Sequence, residues 1–351
     1  MAVGDTSEFA GCSYLMVGRE TTFKTYNTCT ANLDFISSSL KTVQENKVLE
    51  QIETSRTFSK RISMMKKIEG DIEFYANAQN PALAYILENA FGANTVTSAT
   101  ATGETTNGLA FTHTFNVGKY EGSYSSLCIN MRKGGSAGAY VTEYSGIRVN
   151  ELSFTAELDE ALKASASLVG VNSTQTSNDL ASIISVTASD GILNFTGGRV
   201  SVETTFASIT STSFWHVQSV NFGLSNSLKS DAASGRIGSA VLDDLPFGIL
   251  TPSLTLTMRF NTTTAFDAML NETQLSVQLN FEGTTLATSV IKQGLKLNYP
   301  KTYITTAGDP EVGGPDEFLT SEVEFHILQD DSSNSGYAIQ ALLTNDTSSY
   351  T

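Results

Sequence analysis

Three histidines, His113, His216 and His326, and three cysteines, Cys12, Cys29 and Cys128, are the side chains best suited to bind a metal or attack a substrate. Their spacing supports neither. No histidine has a second ligand at helical or hairpin spacing, so neither a zinc site nor a Cys–His pair is indicated. An odd number of cysteines at long intervals argues against a disulfide framework, and the thiols are expected to be free and buried. Asp309, Glu311, Asp316 and Glu317 lie close together, but their spacing matches no calcium loop and reads as a plain turn. Adjacent pairs such as Asp159–Glu160 and Asp243–Asp244 point apart on a strand, which is wrong for concerted acid and base work. The Gly-rich RKGGSAGAY (132–140) lacks the lysine and hydroxyl that a phosphate-binding loop needs after its last glycine. No enzyme, no cofactor and no metal is expected.

What remains is charge and where it sits. The net charge is −15 over 351 residues, from 36 acidic and 21 basic side chains, which disfavours a surface built to grip phosphate backbones. Basic residues gather in one strip, with Lys41, Lys47, Arg56, Lys60, Arg61, Lys66 and Lys67 interleaved with Glu45, Glu50 and Glu53. Such a strip is either a solvated hairpin or a contact with a complementary strip, since a strongly acidic chain that meets its own copies needs local positive charge. Just beyond, in IEGDIEFY (68–75), Glu69, Asp71 and Glu73 alternate with Ile68, Ile72 and Phe74, so three carboxylates share one strand face. In NELSFTAEL (150–158), Glu151 and Glu157 alternate with Leu152, Phe154 and Ala156 in the same way. Like charges on one face must see water, whether as ordinary surface or as the wall of an acidic channel.

The elements that carry these residues are mostly strands. Charged residues make up 16% of the chain, and Ser, Thr, Asn and Gly fill the gaps between short alternating runs. Strands are expected at 68–75, 150–158, 199–206, 219–224, 253–260, 274–281, 294–299 and 321–328. In NPALAYILENAFG, Asn80 as cap, Pro81 at the first position and Gly92 as stop predict a helix over 81–91 with Leu83, Ile86 and Leu87 facing the core. A shorter helix is expected at 264–270, with Phe266, Met269 and Leu270 as its apolar side. Two segments repeat faintly: ISSSLKT (36–42) against LSNSLKS (224–230), and a strand ending in Phe followed by a helix at Phe74 and at Phe260. The offsets are 188 and 186 residues, consistent with a duplicated unit. The expected organisation is a first β unit over 1–175, a second over 176–305, and an extra hairpin over 306–351. The start lacks a basic and an apolar signal segment and no eighteen apolar residues run together, so a soluble chain made in the cytoplasm, without a membrane anchor, is expected.

VGRETTFKTY (17–26), the charged segment leading to KKIEGDIEF (66–74), the Pro-started helix ending AFG, SVNFGLSNSLK (219–229), QLSVQLNFEG (274–283) and GLKLNYPKTY (294–303) together resemble the tail tube proteins of long-tailed bacteriophages. The resemblance spans about residues 10 to 305. It implies tandem β-sandwich or β-barrel units with flanking helices, whose strands join an inner barrel shared between subunits. Ring oligomers then stack into a hollow virion tail tube through which DNA passes without specific binding. A duplicated chain would build the ring as a trimer with pseudo-sixfold symmetry, and an unduplicated one as a hexamer. About 24 strands at roughly 4.8 Å spacing and 40° tilt give a wall near 48 Å across, which leaves about 35 to 40 Å for a duplex about 20 Å wide. Within this frame Glu69, Asp71, Glu73, Glu151 and Glu157 are the lumen-facing candidates. Lys47, Glu50, Glu53, Arg56, Lys60, Arg61, Lys66 and Lys67 are the candidates for contact with a neighbouring subunit or ring. Tape-measure and tail-tip proteins are the partners the resemblance implies. Another ring or shell component of the particle, such as a tail terminator or capsid decoration, and a carbohydrate-binding β-sandwich remain as alternatives; for the latter, the single Trp215 offers little stacking surface.

Overall fold

The computed structural model describes residues 13–51, 57–99, 110–117, 126–134, 140–181, 191–210, 213–260, 263–286, 290–307, 318–330 and 336–350. The first half contains β1 (Tyr14–Arg19), β2 (Ala31–Asn32), β3 (Phe35–Ser38), β4 (Lys41–Val48), β5 (Arg61–Tyr75), α1 (Pro81–Phe91), β6 (Gly92–Ala99), β7 (Ala110–Val117), β8 (Leu127–Lys133), β9 (Tyr140–Glu157), β10 (Lys163–Gly170) and β11 (Asn172–Thr176). The second contains β12 (Gly198–Glu203), β13 (Val217–Ser225), β14 (Thr251–Arg259), α2 (Thr264–Leu270), β15 (Leu275–Thr285), β16 (Lys292–Ala307), β17 (Thr320–Ile327) and β18 (Gln340–Asn345). All eight strands expected from alternation are present; most begin earlier or run longer than expected, while the one expected at 199–206 ends at Glu203.

An antiparallel wall runs in the order β4–β5–β10–β9–β13–β14–β17–β16, with β3 sharing the edge of β5 beside β4. Its two halves have the same topology. In each, two successive strands (β4 and β5, or β13 and β14) lead to a helix, and two later strands (β9 and β10, or β16 and β17) return with the last one placed inside. The β9–β13 ladder joins the halves, with Phe154 opposite Phe222.

Two long strands carry the chain between layers. The first half of β9 pairs with β8 and β11, and its second half with β10 and β13 in the wall. Gly146, at φ +66°, sits at this crossing, a left-handed conformation that a side chain would strain. Likewise β16 pairs with β15 and β18 over its first half and with β17 over its last residues. The second layer therefore holds β2–β1–β8–β9–β11 on one side and β12–β15–β16–β18–β7–β6 on the other.

The apolar wall face, the second layer and α1 share one core. Phe154 stacks on Phe222 at 5.0 Å between centroids, and Phe222 meets Phe281 of β15 at 6.0 Å, so aromatic rings bridge the layers. Helix α1 has the expected ends: the Asn80 side chain accepts from the Ala82 N–H, and Gly92 in the left-handed region donates to Glu88 O. It is buried all round, including Glu88 and Asn89. Arg19 pairs with Glu88 at 2.9 Å and Asn89 Oδ1 accepts from the Val149 N–H, which is how a polar face is tolerated inside.

Three sequence expectations need correction. The apolar side of α2 is Ala265, with Ala268 and Met269 packed behind it, whereas Phe266 and Leu270 are exposed because this short helix rests on β16 by one edge. Among the described residues, segment 306–351 forms no hairpin: β17 lies between β14 and β16, and β18 between β16 and β7. A boundary at 305 also falls inside β16. Cys29 and Cys128 are buried and free as expected, with their sulfurs 3.7 Å apart, while Cys12 and the carboxylate cluster of 309–317 lie outside the described residues.

Candidate functional site

One face of the wall is apolar and buried; the other is polar and open across every strand. Ladder registers fix which side chains are neighbours on it, because directly opposed residues in an antiparallel pair project to the same side. One row reads Asp71–Ser167–Glu151–Ser225–Thr251, and the next Glu73–Ser165–Ser153–Gly223–Ser253. Further along come Lys163–Thr155–Asn221–Thr255–Glu324 and Glu157–Ser219–Thr257–Glu322. The face is thus a carpet of small hydroxyls studded with carboxylates.

The lumen candidates Asp71, Glu73, Glu151 and Glu157 all lie on this face and are exposed. Ser37 donates to Glu73 at 2.9 Å and Ser225 to Glu151 at 3.3 Å. Glu69 is on the same face but is half-buried and paired with Lys67 at 2.8 Å, so its charge is locally matched. Glu322 and Glu324 of β17 belong to the same face and were missed, because the strand SEVEFHIL was assigned to an extra hairpin. Its alternation of Glu322, Glu324 and His326 with Val323, Phe325 and Ile327 was the available signal. Among the bases on the face, Lys163 pairs with Glu160 at 2.5 Å, Arg259 at a strand end lies 4.0 Å over the Phe318 ring, and Lys41 stands exposed opposite Glu69.

The charged strip is the β4–β5 hairpin. Beyond Ile68, β5 leaves β10, and residues 61–65 pair with β4 alone; Lys66 adds a single bridge to Val241. Gly70 sits where the partner of β5 changes from β3 to β4. Its φ is +152°, and a Cβ there would come within 2.6 Å of the Leu40 backbone, so the 39–40 turn crosses only over glycine. A two-stranded ribbon is marginal in water by itself, which marks the hairpin as an element that wants a partner. Val48, Phe58, Ile62 and Met64 are all between 44% and 57% exposed on it.

The contact candidates divide. Lys47, Glu50 and Arg61 are exposed, with no ion pair among the described residues, and Lys60 reaches only Gln51 at 3.5 Å. Lys66 is committed within the chain, donating to Ser173 O at 2.7 Å, and Lys67 is held by Glu69. Glu53 and Arg56 lie outside the described residues.

Among the described ladders, β3 and β4 pair only with β5, and β16 beyond Thr302 pairs only with β17, with its Ala307 N–H donating to Met269 Sδ of α2 at 3.3 Å. The wall thus ends in strands without a ladder partner on their outer side. Unpaired strand edges are templates for another strand. No described cluster of three or more His, Cys, Asp or Glu is placed to hold a metal, and no described helix is long and apolar enough to cross a membrane.

A family model described as phage tail tube protein matches residues 13–326. No curated protein sequence matches the chain. Among solved structures, one described as a crystal structure of Hcp protein aligns over 37% of this chain and 86% of its own, at 12% identity and a TM-score of 0.26.

Proposed function

The chain belongs to the phage tail tube protein family, structural virion proteins rather than enzymes, and from that premise we propose that its copies pair their open wall edges into a ring whose polar face lines a DNA passage. The observation that carries this is the wall: two halves of matching strand order, apolar behind and polar in front, ending in β3 and the start of β4 on one side and in the last residues of β16 on the other. Pairing the β3–β4 edge of one copy, Phe35–Ser38 and the start of β4, with β16 of the next covers both edges at once. Eight strands per chain favour three copies, because about 24 strands then close a barrel near 48 Å across, wide enough for a duplex. The wall would then have pseudo-sixfold symmetry, with β9–β13 repeating inside the chain the junction that β16 makes with the β3–β4 edge between chains.

The lining fits passage without adhesion. Asp71, Glu73, Glu151, Glu157, Glu322 and Glu324 repel phosphates, the Ser and Thr rows between them offer hydration, and carboxylates outnumber the few bases that could release counterions. Rings would stack through the hairpin end, giving the tube. Negative-stain electron microscopy over a concentration series tests the reading: hollow tubes with a regular ring repeat are expected. Monodisperse single copies at every concentration would sink it.

A further inference from the structure

The hairpin and a second feature, an aromatic cavity, lie at opposite ends of the wall. β5 starts in the hairpin and ends at Tyr75, which opposes Lys163; Lys163 opposes Thr155, and Glu157, two residues on, opposes Ser219. Around Glu157 and Ser219 opens a cavity of about 360 Å³, in the size range of ligand pockets, lined by Leu158, Phe195, Phe214, Trp215, Phe281 and Arg199 among others. Phe214 at its mouth is 50% exposed and Leu158 52%. From Ile62 to Tyr75 the strand spans roughly 40 Å at about 3.3 Å per residue.

The two ends complement each other. One projects apolar side chains from a thin ribbon, Phe58 foremost at 57% exposure, flanked by Lys60 and Arg61. The other presents a largely apolar recess whose charged lining residues are Arg199 and Glu157, the latter in no ion pair among the described residues. Surfaces that match at opposite ends of one molecule make a heterologous contact, which repeats without closing and generates a filament. We propose that the cavity is the socket for the hairpin of a second copy: Phe58 enters between Phe214, Trp215 and Leu158, and Lys60 or Arg61 meets Glu157, which stands at this rim of the lining. This rests on the tube reading for its place between rings, and it names the surface that receives the hairpin.

The test is disulfide trapping between two variants, each in a Cys12→Ser background so that the third thiol does not interfere. Phe58→Cys and Phe214→Cys are made separately, and both positions are exposed, so folding is preserved. Mixed and mildly oxidised, they are expected to give a dimer linked 58 to 214 at least tenfold above either variant alone. Replacing Phe214→Cys by Val96→Cys, exposed on β6 away from both surfaces, is expected to give background. Phe58→Glu is expected to cut pelletable polymer at least tenfold, with Phe58→Leu retaining it. A mixture no more linked than the single variants overturns the proposal, as does a 214-to-214 dimer, which would put socket against socket. Because trapping needs only a pair of copies, a 58-to-214 link without tubes would keep the socket and remove the tube reading, and tubes without the link would do the reverse.

Discussion

Replacing Glu151, Glu322 and Glu324 by lysine changes the polar wall face by six charges per chain without touching the core, since the last two are exposed on β17 and the first on β9. Such surface changes alter stability by about 0.5 kcal/mol or less each. In a passage about 35 to 40 Å wide around a duplex of about 20 Å, the gap on each side is about 8 Å, one Debye length at physiological salt, so the lining and the phosphates feel each other. If the three lysines each neutralise one phosphate, the logarithm of affinity should fall by about 2.7 per decade of salt, or about 40-fold between 50 and 200 mM. The assay is retention of a short fluorescent duplex by preformed open tubes, measured after pelleting. Wild-type tubes are expected to retain none above background, and triple-lysine tubes to retain it steeply at low salt. Equal retention when the lysines stand instead at Glu203, Asp231 and Glu272, away from the face, would refute the lining argument, and so would a triple-lysine tube that ignores DNA at 50 mM salt.

Phe222→Ala, which removes the ring between Phe154 and Phe281, should cost about 3 to 5 kcal/mol, seen as a lower denaturant midpoint with little change in slope. Gly70→Val puts a branched side chain against the Leu40 backbone at a left-handed φ, and should cost more than about 2 kcal/mol while raising protease cleavage in the hairpin; an unchanged hairpin would contradict the crossing described for residues 39–40. His113 is buried against Tyr350, with Nε2–H donating to Thr347 O at 2.8 Å, and burial lowers its pKa below the usual value of 6.5. Its folded form resists the proton that the unfolded chain takes up, so its contribution is complete above about pH 6.5 and is lost as pH falls below that toward the folded pKa. A Tm profile from pH 7.5 to 5.5 should therefore decline less in His113→Gln than in the wild type.

Much of this was legible because contrast between neighbours was high. Strands with branched or aromatic residues alternating with Ser, Thr or Glu, such as SLTLTMRF and QLSVQLNF, declare both their period and their buried face. β10 escaped notice for the opposite reason: in KASASLVG the buried residues Ala164 and Ala166 differ little in polarity from Ser165 and Ser167. The helix ends were readable because Asn80, Pro81 and Gly92 act locally. The fates of Lys66 and Lys67 were not, since one is decided by a carbonyl at Ser173 and the other by choosing between many nearby carboxylates. Placing β17 required long-range pairing with β14, more than sixty residues away, which no local pattern encodes. The sequence offers only two short similar segments as a sign of repetition, and the matching strand order of the halves is a property that only the ladders display.

The central claim is that eight strands from each copy close into a continuous barrel with the carboxylate face inward. Electron cryo-microscopy of assembled tubes, resolved to individual strands in cross-section, tests it most directly. A closed ring of about 24 strands, threefold by chain, with Glu151 and Glu322 pointing into the lumen and β16 laddered to the β3–β4 edge of the next copy, is the predicted result. Tubes whose inner wall is the apolar face, or copies joined with the β3–β4 and β16 edges left unpaired, would contradict it.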